Sequence, residues 1–466
     1  MAPLHHWACR LNYFVDFAGV QWYHLLMRYA LCHGDVLGQL AQFPENSFEA
    51  IISDPPYGLG NRQPTPAEIA AYLTGADLNT GGDFMGKEWA VPSVRTWREL
   101  HRVLKPGGCA LVCGGPRMFD LVTVGMRMAG FEIRDVLAWM YAKGYPKSLD
   151  AARVISVDRC TAAGRHFMTR LPREDRRRPD DHVCADHPDG DPYKGLGTGL
   201  KPAWEPIVLA RKPMVGTLVE NLDAWGTGTL AIDACRIGTE GGTKKLNPNS
   251  GAPGSALMGS LDGALNGDFG EAIPGLGRWP ANVCLDEEAG IYLDELSGER
   301  PSRPAVTRHG GGGKIFRAGE GVAKPDTGYS DTGGASRFFF STKVSTAERE
   351  RGCELLPMRA AGAMTEREED SMGLDNPRAG AGRGKGARNF HPTLKPIGLT
   401  EWMGKLVKPA APDAAVLIPY AGAGSEVIGA LRAGWPCVVG VEREADYIQI
   451  AHARVASWCP DAGNDS

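Results

Sequence analysis

The run Ser53-Asp54-Pro55-Pro56-Tyr57-Gly58 puts a carboxylate, two prolines and an aromatic ring directly after the apolar stretch Glu49-Ala50-Ile51-Ile52. Consecutive prolines fix two φ angles and supply carbonyls without N–H groups, so the loop is a rigid rack of acceptors. An amino group on a nucleobase is a poor nucleophile because its lone pair is delocalised into the ring. Accepting its two N–H protons, one at the Asp54 carboxylate and one at the Pro55 carbonyl, would turn the nitrogen toward tetrahedral geometry and aim the lone pair at a methyl sulfonium. Tyr57 offers a face on which a base could stack, a role that needs only the ring. Asp54, Pro55, Pro56 and Tyr57 are therefore the expected catalytic set. The bland alternative, a turn with an aromatic lid, is disfavoured by the strand-like residues that precede it.

A second segment, Val416-Leu417-Ile418-Pro419-Tyr420-Ala421-Gly422-Ala423-Gly424-Ser425, reads as a strand, a glycine turn and a helix start. Gly422 and Gly424 let the backbone approach a ligand closely. Glu442 ends the next apolar run, Cys437 to Val441, where it can accept hydrogen bonds from ribose hydroxyls. Dinucleotide-binding units use the same mechanics. Here, however, 42 residues follow Gly424, too few for the rest of such a fold, so the remaining strands must come from earlier in the chain.

The elements that must hold these loops have α/β texture. From Met27 onward, short apolar runs alternate with helical patterns. A helix is expected from Val94 to Val103, stopped by Lys105-Pro106-Gly107-Gly108. Strands are expected at Ala110–Cys113, Phe131–Tyr141 and Ile207–Ala210, with a helix at Met118–Met128. Residues 216–388 are Gly-rich and weakly periodic, with a strand-like piece at Arg337–Phe340, and read as an inserted, partly flexible recognition module. The catalytic lobe would then be split into 27–215 and 389–458, with a tail at 459–466. Residues 1–26, rich in aromatics and His but without a signal-peptide pattern, read as a dispensable extension.

A formal net charge of −4 means that any nucleic-acid face must be built from local clusters. Two candidates are Arg173 with Arg176 to Arg178, and Arg378, Arg383, Lys385 and Arg388. The 11 Cys include no CxxC pair, which suits free thiols in a reducing cytoplasm. Cys160, His166, His182, Cys184 and His187 match no common finger spacing, so no metal is expected. No apolar run is long enough to span a membrane.

Over residues 27–458 the chain resembles the circularly permuted, beta-class-like amino-methylating DNA methyltransferases of the Asp-Pro-Pro-Tyr type, in which the catalytic motif precedes the cofactor motif. Further similarity to phage and prophage members lies in Phe84-Met85-Gly86-Lys87-Glu88-Trp89, Lys143-Gly144-Tyr145-Pro146-Lys147-Ser148 and Leu200-Lys201-Pro202-Ala203-Trp204-Glu205-Pro206. The resemblance implies a Rossmann-like methyltransferase fold, a mostly parallel sheet with helices on both faces. It implies S-adenosylmethionine as cofactor, held by Asp35, Asp54, Thr393, Lys395, Pro419, Tyr420, Ala421, Gly422, Gly424, Ser425 and Glu442. It also implies double-stranded DNA as partner, touched by Lys87, Trp89, Arg378, Arg383, Lys385 and Arg388. A homodimer and a companion restriction endonuclease are partners that the resemblance admits. The Asp-Pro-Pro-Tyr form resembles adenine-N6 enzymes more than cytosine-N4 enzymes. RNA or protein-amide methylation and a non-catalytic DNA-binding relative are the rivals. One position departs from the pattern: Ile418 stands where the resemblance implies an Asp that holds the loop or the methionine amino group.

Overall fold

The computed structural model describes residues 28–58, 60, 62–81, 90–144, 148–162, 192–238, 277–302, 307–308, 324–325, 331–342, 346–359 and 387–463. Nine strands form the main sheet: β1 (Tyr29–His33), β2 (Phe48–Ser53), β3 (Leu104–Cys113), β4 (Glu132–Met140), β5 (Trp204–Arg211), β6 (Val283–Asp286), β7 (Phe340–Thr342), β8 (Ala415–Pro419) and β9 (Cys437–Glu442). Their spatial order is β1-β9-β8-β2-β3-β5-β4-β6-β7. The pairings from β1 through β9, β8 and β2 to β3 are parallel, as are β4–β6 and β6–β7, whereas β5 runs antiparallel to β3. The helices are α1 (Val36–Leu40), α2 (Pro66–Thr74), α3 (Val94–Val103), α4 (Phe119–Met128), α5 (Ala151–Ala162), α6 (Leu218–Trp225), α7 (Glu287–Ser297), α8 (Thr346–Glu350), α9 (Ile397–Leu406), α10 (Ser425–Arg432) and α11 (Ala445–Trp458).

The middle strands are buried along their whole length, which is why β2, β8 and β9 read as continuous apolar runs. The connection from β8 through α10 to β9 moves one way along the sheet, and that from β2 through α2 and α3 to β3 moves the other. Right-handed crossovers then place α10 and α3 on opposite faces. On the α3 face, Val94, Trp97, Leu100 and Val103 join Val36 and Leu40 of α1 in the main apolar core.

Two sequence expectations need correction. Helix α3 ends where expected, but no glycine caps it: Leu104 is already extended, and Lys105-Pro106-Gly107-Gly108 lies inside β3. The glycine sits at an irregularity in the pairing with β2, between Phe48 and Ala50. Gly107 takes φ +76°, and a Cβ there would come within 2.4 Å of Asn221 Nδ2. That buried amide donates to the Pro106 carbonyl (3.2 Å), so the prolyl-glycyl bulge is the seat of α6.

The run Arg337–Phe340 is likewise only partly strand, because Ala335–Phe338 forms a 3-10 turn and β7 starts at Phe340. The turn is imposed by Asp294, which accepts from the Ser336 backbone N–H and hydroxyl, each at 2.7 Å. Phe338 lies under the guanidinium groups of Arg278 and Arg337, at 4.8 and 4.5 Å from the ring centre.

β6 and β7 extend the same sheet beyond β4. Cys353 and Leu356 pack with Phe390, Leu394, Ala423, Tyr447 and Ile450 in a second core. By compactness, the residues up to Met140 and from Glu205 onward form one unit, and Tyr141–Trp204 forms another. Within the smaller unit two of the singled-out segments meet: a Cβ on Gly144 would overlap the Pro202 carbonyl oxygen, and Lys201 Nζ donates to the Ala142 carbonyl at 2.5 Å. Among the described residues no helix is long and apolar enough to cross a membrane.

Glu49 ties three strands together. Its buried carboxylate accepts from Lys105 Nζ of β3 and from the Ala415 N–H of β8 (2.6 Å). Glu49→Ala leaves a mostly buried ammonium and a buried N–H unpaired. It is expected to lower unfolding stability by about 3–5 kcal/mol, read from urea midpoints. A loss below about 1 kcal/mol, the range of an exposed pair, would show that the tie is not needed.

Candidate active site

The carboxyl ends of β1, β9, β8 and β2 lie side by side, ending in His33, Glu442, Pro419 and Ser53. Because the chain leaves β8 and β2 in opposite directions, a crevice opens between them at the switch point, where α/β sheets bind ligands. Gly34, Tyr420 and Asp54 are the first residues beyond three of these strands. The Gly34 N–H donates to the Glu442 carbonyl (2.9 Å) and the Ser53 hydroxyl to the Pro419 carbonyl (3.3 Å).

The glycine loop turns through three left-handed residues, Tyr420 (φ 60°), Gly422 (φ 51°) and Gly424 (φ 80°). Its shape is fixed by Glu442, whose Oε2 accepts from the Gly422 N–H (2.8 Å) while Oε1 accepts from the Glu444 N–H (2.8 Å). Each carboxylate oxygen has a second lone pair, so these bonds leave room for ligand hydroxyls. Burial raises the Glu442 pKa from its ordinary value. Ile418 is fully buried in β8, and the loop it precedes is tied by Glu442 and Ser53, with no acid at 418. A Cβ on Gly422 would come within 2.6 Å of His391 Nε2. Burial lowers the His391 pKa to about 4, so the ring is neutral, and its Nδ1 bonds to the Thr393 carbonyl.

At the end of β2, Gly58 adopts φ +63°, and a Cβ there would collide with Val91 Cγ2 at 2.3 Å. This turn holds Asp54 and Tyr57 in one cluster with two residues from distant segments. Lys395 Nζ donates to Asp54 Oδ2 (2.8 Å) and to the Tyr57 hydroxyl oxygen (2.8 Å), and lies 3.2 Å from Glu205 Oε2. The Tyr57 hydroxyl has one proton, and its shorter contact is to Asp54 Oδ1 (2.8 Å), against 3.1 Å to Glu205 Oε2. Burial alone would depress the Lys395 pKa, but the carboxylates of Asp54 and Glu205 outweigh it and hold the ammonium well above its ordinary range. Burial, then the Asp54 charge, pushes the Tyr57 phenol up, so it remains a donor. Cys113, at the end of β3, is also pushed well up by burial and stays a thiol.

Residues 48–229, which run from β2 through α6 and include Asp54, Tyr57 and Glu205, match the N6/N4 family model described as DNA methylase. Among solved structures, M1.HpyAVI aligns with a TM-score of 0.33 at 10% identity, covering 92% of this chain and 98% of that one. The PvuII cytosine-N4-specific DNA methyltransferase aligns at 0.39 and 11%, covering 92% and 86%. TTHA0409 of Thermus thermophilus aligns at 0.35 and 15%, covering 94% and 97%. Likeness at this level leaves the fold assignment to the strand order itself. Among curated proteins nothing matches.

The other expected site residues fall in different places. Asp35 caps α1, accepting from the Leu37 and Gly38 N–H groups at 3.0 and 3.3 Å, and is exposed at the end of β1. Lys395, expected among cofactor contacts, commits its ammonium to Asp54, Tyr57 and Glu205. The Ser425 hydroxyl accepts from Arg454 Nη1 (3.2 Å). Thr393 is exposed. Arg388 is half-buried, with its Nε on the Leu356 carbonyl (3.1 Å). Lys87, Trp89, Arg378, Arg383, Lys385, the Arg173–Arg178 cluster, and His166, His182, Cys184 and His187 lie outside the described residues. No cluster of metal-ligating residues occurs among the described ones.

Sequence reasoning missed Glu205, His391 and Glu426. Glu205 could have been found, since it sits in the Lys-Pro-Ala-Trp-Glu-Pro run already singled out. Glu426 looks like an ordinary acid in a first helical turn.

The geometry gives the Tyr57 hydroxyl a task that stacking alone did not predict. Tyr57→Phe removes one partner from Asp54 and one from Lys395, and should cost about 1–3 kcal/mol of stability. Urea unfolding of the variant against the parent checks this; equal midpoints would return Tyr57 to a stacking role only.

Proposed function

We propose that the chain is a DNA methyltransferase that moves a methyl group from S-adenosylmethionine to an exocyclic amino group, adenine N6, of a base flipped out of duplex DNA. The observation that carries this reading is the position of Asp54: a carboxylate paired with Lys395 at the end of β2, beside the glycine loop of β8, in a stretch that matches the N6/N4 DNA methylase family model. Asp rather than Ser at the head of the loop favours adenine.

The donor set suits the cofactor. Glu442 keeps lone pairs for ribose hydroxyls, the glycines of the loop from Pro419 to Ser425 carry no side chain to bar a close ligand, and a buried carboxyl on Glu426 has an oxygen without a partner among the described residues. When bound, the cofactor supplies an electrophilic methyl group. The chain's own residues do the rest. Lys395 donates to Asp54 Oδ2, and Asp54 enters the reaction as an acceptor. A carboxylate has about four lone-pair sites, of which Lys395 and Tyr57 use two, so an amine can add without displacing either. With its second N–H on the Pro55 carbonyl, the amine lone pair points away from the base ring. After transfer the nitrogen carries a proton in excess, and Asp54 takes it. Burial in the crevice requires the base to leave the stack, because the amino group is out of reach within it. Reading of the DNA sequence is assigned to side chains within 216–388, with Arg378, Arg383, Lys385 and Arg388 on phosphates.

Asp54→Ala is expected to abolish methyl transfer to duplex DNA while S-adenosylmethionine affinity stays within a few-fold. Transfer of a radiolabelled methyl group and isothermal titration measure the two. Transfer at the parental rate would refute the assignment of Asp54.

A further inference from the structure

Glu426 is the second residue of α10, immediately after the glycine loop, and is only 5% exposed. Its Oε1 has no hydrogen-bond partner among the described residues. The charged and titratable groups that face it are Asp54 beyond β2, Lys395 before α9, Arg454 on α11 and the Cys113 thiol of β3. None of them satisfies that oxygen. Lys395 is held by Asp54, Tyr57 and Glu205. Arg454 Nη1 donates instead to the Ala423 carbonyl (2.5 Å) and the Ser425 hydroxyl (3.2 Å). A buried carboxyl oxygen left unpaired is costly, and such groups concentrate where a ligand completes them. Burial, then the charge of Asp54, raises the Glu426 pKa to about 7. The free protein therefore holds this carboxyl partly protonated, ready to ionise for a cation.

The position selects the cation. Glu442 lies at the nucleoside end of the crevice and Asp54 at the methyl-accepting end. Glu426 follows the glycine loop and faces Asp54 and Lys395. β8 itself ends there in Ile418 and Pro419, which offer no side-chain acceptor. A sulfonium cannot donate a hydrogen bond, whereas an ammonium donates three.

We propose that Glu426 is the residue that receives the ammonium group of the cofactor's methionine part. The proposal rests on the reading of S-adenosylmethionine as cofactor. Cation binding favours the ionised carboxylate, so near neutral pH the site should release protons as the ligand enters, and affinity should rise with pH as the carboxyl ionises.

The test uses the full chain and two neutral-sulfur ligands, S-adenosylhomocysteine and its desamino analogue, which differ only in the ammonium. The parent is expected to bind S-adenosylhomocysteine at least 10-fold more tightly than the desamino analogue, about 1.4 kcal/mol. Glu426→Gln should lose that preference while binding the desamino analogue as the parent does, which also shows that it is folded. Titration in buffers of different ionisation heat should detect proton release in the parent and none in the variant. A Glu426→Gln protein that keeps the full preference would overturn this proposal and leave the cofactor reading standing. A parent that binds neither ligand would overturn the cofactor reading and this proposal with it.

Discussion

An ionised carboxylate at the end of a buried strand needs a countercharge, and in this protein the countercharge comes from far away in sequence: Lys395 against Asp54, 341 positions apart. The pair is mostly buried, so removing Lys395 leaves the Asp54 carboxylate without its countercharge, at a cost of several kcal/mol. Glu205 and Tyr57 share the same ammonium. The whole cluster therefore exists only when β2, the start of β5 and the segment before α9 have been brought to one place. That is what the strand order does: β8 inserts between β9 and β2, and β5 returns beside β3.

The sheet is arranged to hold this site rigid. Glu49 joins β2 to both neighbours from inside the core, and Glu442 pins the glycine loop by the Gly422 N–H while its other oxygen holds the Glu444 N–H after β9. The positive φ of Tyr420, Gly422 and Gly424 is sustained by these ties. Glu442 is thus a structural element that still has lone pairs to offer at the crevice. A ligand can then be bound with little reorganisation.

Much of this was legible in the sequence, for identifiable reasons. Strands buried on both faces announce themselves as uninterrupted apolar runs, which is why β2, β8 and β9 and the loops after them could be located. The helix α3 was readable from its periodicity. Its end was not, because Lys-Pro-Gly-Gly has the same local signature whether it stops a helix or forms a bulge seated on Asn221. Glu205 and Lys395 could be placed in motifs but not on each other, since their contact depends on the antiparallel return of β5. The described parts of 216–388 looked separate because their strands, β6 and β7, are short and lack periodicity, yet they extend the main sheet. Glu426 gave no signal, as its significance lies in a partner that is missing from the fold.

A family stretch ending at residue 229 and a glycine loop beginning near residue 419 are joined into one crevice by the parallel pairing of β2 with β8. If that crevice aligns a nucleobase amine with a methyl donor, the chemistry must appear on one atom of DNA. The full chain, incubated with duplex DNA and S-adenosylmethionine carrying a deuterated methyl group, followed by digestion and mass spectrometry of the nucleosides, reads that atom directly. The account predicts deuterated N6-methyladenine. Deuterium on cytosine N4 would keep the crevice and change the base, whereas label at cytosine C5, or unlabelled DNA with cofactor bound, would contradict amine methylation by Asp54.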